Sequence, residues 1–81
     1  MNIYITRKAQ IELASLSTEI QNRISDKIRF FAQYRDPQVF AKYIPTEKVY
    51  RWRVGNYRIF YERHDGDFFI MKISRRDKAY D

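Results

Sequence analysis

The strongest constraint in this sequence is the dipeptide Gly55-Asn56, set between two β-type runs, Lys48 to Val54 and Tyr57 to Arg63. A glycine followed by asparagine supplies the backbone that a two-residue hairpin turn demands. The runs are therefore predicted to pair in one register, with Val54 opposite Tyr57, Arg53 opposite Arg58 and Trp52 opposite Ile59. Strand side chains alternate between faces, so Tyr50, Trp52, Val54, Tyr57, Ile59 and Tyr61 share one side and form a core face. Arg51, Arg53 and Arg58 share the other side with Phe60 and Glu62.

That second face carries the first functional expectation. Like charges directly opposite one another across a strand pair cost stability, so Arg53 facing Arg58 calls for an anionic counterpart. In the plain reading, Arg51 and Arg53 are solvated and Arg58 pairs with Glu62, two positions along its own strand. The functional reading is a phosphate clamp, because a planar guanidinium grips phosphate in bidentate fashion whereas lysine would serve equally well for solubility. As a solvent-face residue, Arg58 is expected to be dispensable for folding.

A third run, Phe68 to Ser74, follows the turn residues His64-Asp65-Gly66-Asp67. It is apolar on both faces apart from Lys72, which predicts a central strand covered on both sides. Upstream, Asn2 to Ile5 reads as a short strand ending at Thr6, an N-cap for a helix whose apolar positions are Ala9, Leu13 and Leu16. Ser17, Thr18 and Glu19 start a second helix with Ile20, Ile24, Ile28 and Phe31 on one face. Asp36-Pro37 is expected to stop it. Pro37 to Pro45 has no period and is taken as a packed connection anchored by Phe40 and Ile44. Residues 1–81 thus predict a single α+β domain of order β-α-α-β-β-β, a helical hairpin on one face of a small, mainly antiparallel sheet.

Composition narrows the chemistry. The chain has no cysteine and a single histidine, His64, so a thiolate or histidine-cluster metal site is excluded and neither metal nor cofactor is expected. His64 is assigned to a loop about 20 Å from Arg58 at ~3.3 Å per strand residue, too far to act with it. Sixteen Lys and Arg against ten Asp and Glu give a net charge of +6, which favours a polyanionic partner. No stretch approaches the ~20 apolar residues of a membrane span and no leader is apparent, so a cytoplasmic protein without membrane contact is expected. The chain closes on Ser74-Arg75-Arg76-Asp77-Lys78-Ala79-Tyr80-Asp81, a second basic cluster that the third strand would return beside the first hairpin.

The run Tyr50-Arg51-Trp52-Arg53-Val54-Gly55-Asn56-Tyr57-Arg58-Ile59-Phe60-Tyr61-Glu62 resembles the Y-R-x-R-V-G-x-Y-R-[VI]-x-Y-E signature of the RelE/ParE toxins of type II toxin-antitoxin pairs. Ile73 to Tyr80 is similar to that family's closing V-G-[HK]-R-x-x-x-Y. In its RelE-like branch the resemblance implies an endoribonuclease that cuts mRNA in the ribosomal A site without a metal, using the substrate's own 2′-hydroxyl. By motif position it implies Arg58, Arg76 and Tyr80 as catalytic, with Arg51, Arg53 and Arg75 on RNA phosphates, and Lys78 of the same basic closing segment is expected to join them. Arg75 stands where relatives often carry histidine or lysine, and arginine cannot shuttle a proton at neutral pH. Nearby cations would favour the anionic form of Tyr80, whose type ionises near pH ~10 when unperturbed. The ParE-like branch implies instead a protein that poisons DNA gyrase and cuts no RNA. Either branch implies a cognate antitoxin with an acidic, partly disordered segment over the basic face.

Overall fold

The computed structural model describes residues 2–34 and 36–75. In chain order it contains β1 (Ile3–Ile5), α1 (Arg7–Ala14), α2 (Thr18–Ala32), a 3-10 turn at Pro37–Phe40, β2 (Lys42–Ile44), β3 (Val49–Val54), β4 (Tyr57–His64) and β5 (Asp67–Arg75). The strands form one sheet in the order β1-β5-β4-β3-β2. Every neighbouring pair is antiparallel except β1 with β5. The expected helical hairpin on a mainly antiparallel sheet is present.

It carries one strand more than periodicity predicts. β2 lies inside the stretch expected to be a packed connection. Three residues are too few to display alternation, and β2 owes its conformation to its partner, with Tyr43 paired to Tyr50 and their ring centroids 4.9 Å apart. Of the two expected anchors, Ile44 is buried while Phe40 remains 41% exposed at the edge of an aromatic cluster with Phe30 and Tyr34.

Hydroxyl caps start both helices. Thr6 Oγ1 accepts the Ala9 backbone N–H and Ser17 Oγ accepts that of Ile20, each at 3.3 Å. α2 ends at Ala32, before the Asp36-Pro37 pair expected to stop it. Pro37 instead opens the 3-10 turn, where the Asp36 carboxylate accepts the Gln38 N–H. The helices bury Ala9, Ile24, Ile28 and Phe31 against Trp52, Val54, Ile59, Tyr61, Phe68, Ile70 and Ile73 of the sheet. Trp52 is wholly enclosed. Its ring lies 4.6 Å from Phe31 and 4.3 Å from Tyr61, and its Nε1 donates to the Pro37 carbonyl.

The first hairpin has the predicted register, turning with positive φ at Gly55. The second turns on Asp65 and Gly66, both at positive φ, so His64 is the last residue of β4 rather than a loop residue. A β-bulge interrupts the β4–β5 ladder. Phe60 pairs with Lys72 and Tyr61 with Ile70, leaving Met71 as the extra residue. Burial along β5 accordingly runs Phe68, Ile70, Ile73, switching from even to odd positions. Lys72 and Ser74 are thereby turned to the face away from the helices. β5 lies between β1 and β4 as its apolar character predicts, yet helices cover only one of its faces, and Phe69, Met71 and Lys72 stay half-buried. Among the described residues no helix is long and apolar enough to cross a membrane.

Candidate nucleic-acid interface

The helix-free face of the sheet gathers three of the cations singled out in the sequence, Arg51, Arg53 and Arg58. Cross-strand register places Lys42, Arg51, Phe60 and Lys72 side by side on β2, β3, β4 and β5. The next row holds Arg53, Arg58 and Ser74. Facing residues in such a ladder have Cβ atoms about 5 Å apart, so five cationic side chains issue from a patch two rows deep.

Beneath them lies an apolar floor. Ile44, Val49 and Phe60 form a second buried cluster on this side of the sheet, and Lys72 Nζ sits 5.7 Å from the Phe60 ring centroid. Such a floor keeps water from screening the cations from below and strengthens their attraction for a bound anion.

Burial separates the arginines. Arg53 is exposed, whereas Arg51 and Arg58 are only 8% and 6% exposed. The expectation that Arg58 stands on a solvent face is therefore corrected. The ladder sets it between Arg53 and Ser74 in the middle of the sheet, where neighbouring strands wall in its stem. Both buried arginines are already engaged within the chain. Arg53 makes no ion pair with any described residue. Glu62 does not serve Arg58 as the plain reading expects: its Oε1 lies 2.8 Å from Nε2 of His64, two residues further along β4.

The predicted site residues divide accordingly. Arg51, Arg53 and Arg58 are brought together on one face. Arg75 pairs with Tyr57 while Ser74 pairs with Arg58, so alternation sends Arg75 to the opposite face from Arg58. Arg76, Lys78 and Tyr80 lie outside the described residues. Lys42 and Lys72 join the patch unanticipated. Lys42 belongs to the strand that periodicity misses, and Lys72 reaches this face only through the bulge at Met71. Among the described residues no cluster of His, Asp and Glu could hold a metal ion.

Residues 3–80 match the family model of the ParE toxin of type II toxin-antitoxin systems, parDE. The chain belongs to the RelE/ParE toxin superfamily. No curated protein matches it. Its fold is similar to that of the toxin-antitoxin complex RelBE2 from Mycobacterium tuberculosis, at 23% identity and a TM-score of 0.78 over 93% of this chain and 90% of that one. It is also similar to the archaeal RelE-RelB complex from Pyrococcus horikoshii OT3, at 22% identity and 0.72 over 96% and 97%. At these identities the two neighbours establish the fold, two helices on a five-stranded mixed sheet. The superfamily identifies this chain as the toxin of a type II toxin-antitoxin pair.

Proposed function

We propose that this toxin is a ribosome-dependent endoribonuclease that cleaves mRNA in the A site. The observation that carries the reading is the Arg53–Arg58 cross-strand pair, set among Lys42, Arg51 and Lys72 on a sheet face that no described helix covers. A polyanion relieves the repulsion between these groups, and the guanidinium forks fit phosphoryl oxygens.

The reaction needs no external nucleophile. The 2′-oxygen of one ribose attacks the adjacent phosphorus and the bond to the 5′-oxygen of the next nucleotide breaks. The ends formed are a 2′,3′-cyclic phosphate and a 5′-hydroxyl. One proton leaves the 2′-hydroxyl and one reaches the departing 5′-oxygen. Negative charge gathers on the phosphoryl oxygens, where Arg53, Arg58 and, by motif position, Arg76 stabilise it, each preorganised donor contributing about 3 kcal/mol. Arginine cannot take a proton at neutral pH, so proton transfer falls to Tyr80, the residue to which the family motif assigns it. Lys42, Arg51, Lys72 and, by its place in the closing segment, Lys78 hold flanking phosphates. Before release, an antitoxin bearing an acidic segment neutralises the same face.

A second reading follows from the family model itself, which is that of a ParE toxin. In it the basic face binds DNA gyrase and no RNA is cut. Primer extension on mRNA in programmed ribosomes and a supercoiling assay with purified gyrase separate the two. A cut within the A-site codon supports the nuclease. Whole mRNA with inhibited supercoiling supports the gyrase poison.

A further inference from the structure

Beyond Phe60 the helix-free face becomes aromatic. Glu62 of β4, Phe69 of β5 and Tyr4 of β1 lie side by side. The Tyr4 and Phe69 rings stack with centroids 5.1 Å apart and planes 19° from parallel, and the His64 ring meets Phe69 edge-on at 5.5 Å. Glu62 holds His64 through its 2.8 Å contact. Tyr4 is 46% exposed and Phe69 half-buried, so this stacked pair reaches solvent chiefly through Tyr4. Along the strands it begins about 7 Å from the Phe60–Lys72 row and about 13 Å from the Arg58–Ser74 row, at ~3.3 Å per residue.

A cross-strand aromatic pair helps to hold β1 on β5, but any apolar pair does that. Rings left open in line with a band of cations suit a single-stranded nucleic acid, whose phosphates follow the cations while its bases stack on the rings. Charge selects this occupant over an apolar protein segment. Lys42, Arg53 and Lys72, which make no ion pair with any described residue, share the face with Glu62, whose Oε1 contacts His64.

We propose that Tyr4 and Phe69 form a stacking platform for a base of the RNA strand whose phosphate is held at Arg53 and Arg58. This rests on the endoribonuclease reading and adds to it a positioning surface that lies outside the basic motif.

The test uses programmed ribosomes carrying two mRNAs. One is unmodified and reports cleavage. The other has a 2′-deoxy sugar at the cleavage point and 2-aminopurine at each A-site position in turn, whose fluorescence falls when it stacks on an aromatic ring. The wild-type toxin is expected to quench one of these positions. Tyr4→Leu and Phe69→Leu are expected to abolish that quenching and weaken binding by roughly 5- to 150-fold, the value of one base–aromatic stack. Arg53→Ala is expected to weaken binding and lower its salt dependence while quenching persists at saturating protein. Should Phe69→Leu fail to fold, Tyr4→Leu decides alone, since its side chain is half outside.

Cleavage by the wild type with unchanged quenching and affinity in folded Tyr4→Leu overturns the platform and leaves the nuclease reading standing. Absence of cleavage by the wild type overturns both. Weakened antitoxin binding by Tyr4→Leu, with RNA quenching intact, assigns the rings to a protein partner and also overturns the proposal.

Discussion

Arg58 lies buried directly across the β3–β4 ladder from the exposed Arg53. A like-charge pair in this position costs stability, and only Arg53 is free to lose its charge without opening the sheet. Arg53→Ala is therefore expected to leave stability unchanged or raise it by about 0.2–1 kcal/mol while growth arrest on expression is lost. Thermal melts of the purified chain and a growth assay check both halves, and a lowered melting temperature would contradict the argument.

Arg58 behaves differently because its aliphatic stem is part of the packing. Arg58→Ala is expected to destabilise the fold by about 1–3 kcal/mol, so its loss of toxicity alone is uninformative. Arg58→Lys keeps the charge and most of the stem but not the fork. It is expected to fold, with chemical denaturation close to wild type, and to arrest growth much more weakly.

Beyond the bulge at Met71, β5 is held by a contact from α1. There, where β1 no longer pairs with β5, the Ile73 backbone N–H donates to Glu12 Oε1 of α1 at 2.9 Å, fastening the helix to the strand. Glu12→Ala is expected to cost about 1–3 kcal/mol by leaving that partly buried donor unsatisfied, and Glu12→Gln to recover part of it. Hydrogen exchange at the Ile73 amide reports the effect locally. Unchanged protection in Glu12→Ala would show that the helix contact does not hold this amide.

Tyr61 predicts an alkaline limit to stability. Burial first, then the neighbouring Tyr50, pushes its phenol well above its usual value, with Arg63 opposing. A folded pKa above the unfolded value of about 10 means that the stabilisation is complete below pH ~10 and is lost as pH rises through the folded pKa. The hydroxyl has no hydrogen-bond partner among the described residues. Tyr61→Phe is expected to be neutral or slightly stabilising near pH 7 and to flatten the fall in stability at alkaline pH. Denaturation midpoints measured between neutral and alkaline pH decide this.

How much of the molecule was legible in the sequence follows from which signals are local. Gly55-Asn56 fixed the hairpin register, and with it the grouping of Arg51, Arg53 and Arg58, because turn chemistry and alternation need no distant partner. Helical periodicity likewise gave Ile24, Ile28 and Phe31 as core. Lys42 was hidden because β2 is a strand only by virtue of β3. Lys72 and Ser74 were hidden because nothing in Phe68 to Ser74 marks Met71 as the residue that drops out of the ladder. The burial of Arg58 was hidden for a related reason. Alternation assigns a face, but how deeply a side chain sits on that face depends on the strands beside it.

The most direct test is primer extension on a defined mRNA in programmed ribosomes, run with the wild-type toxin, with Arg53→Ala, and on naked mRNA. The account predicts a cut within the A-site codon by the wild type, none on naked mRNA, and a rate for Arg53→Ala lower by roughly 100-fold or more, as for loss of one preorganised donor. Intact mRNA with a folded, growth-arresting wild type would contradict it and turn the arginine face into a protein-binding surface.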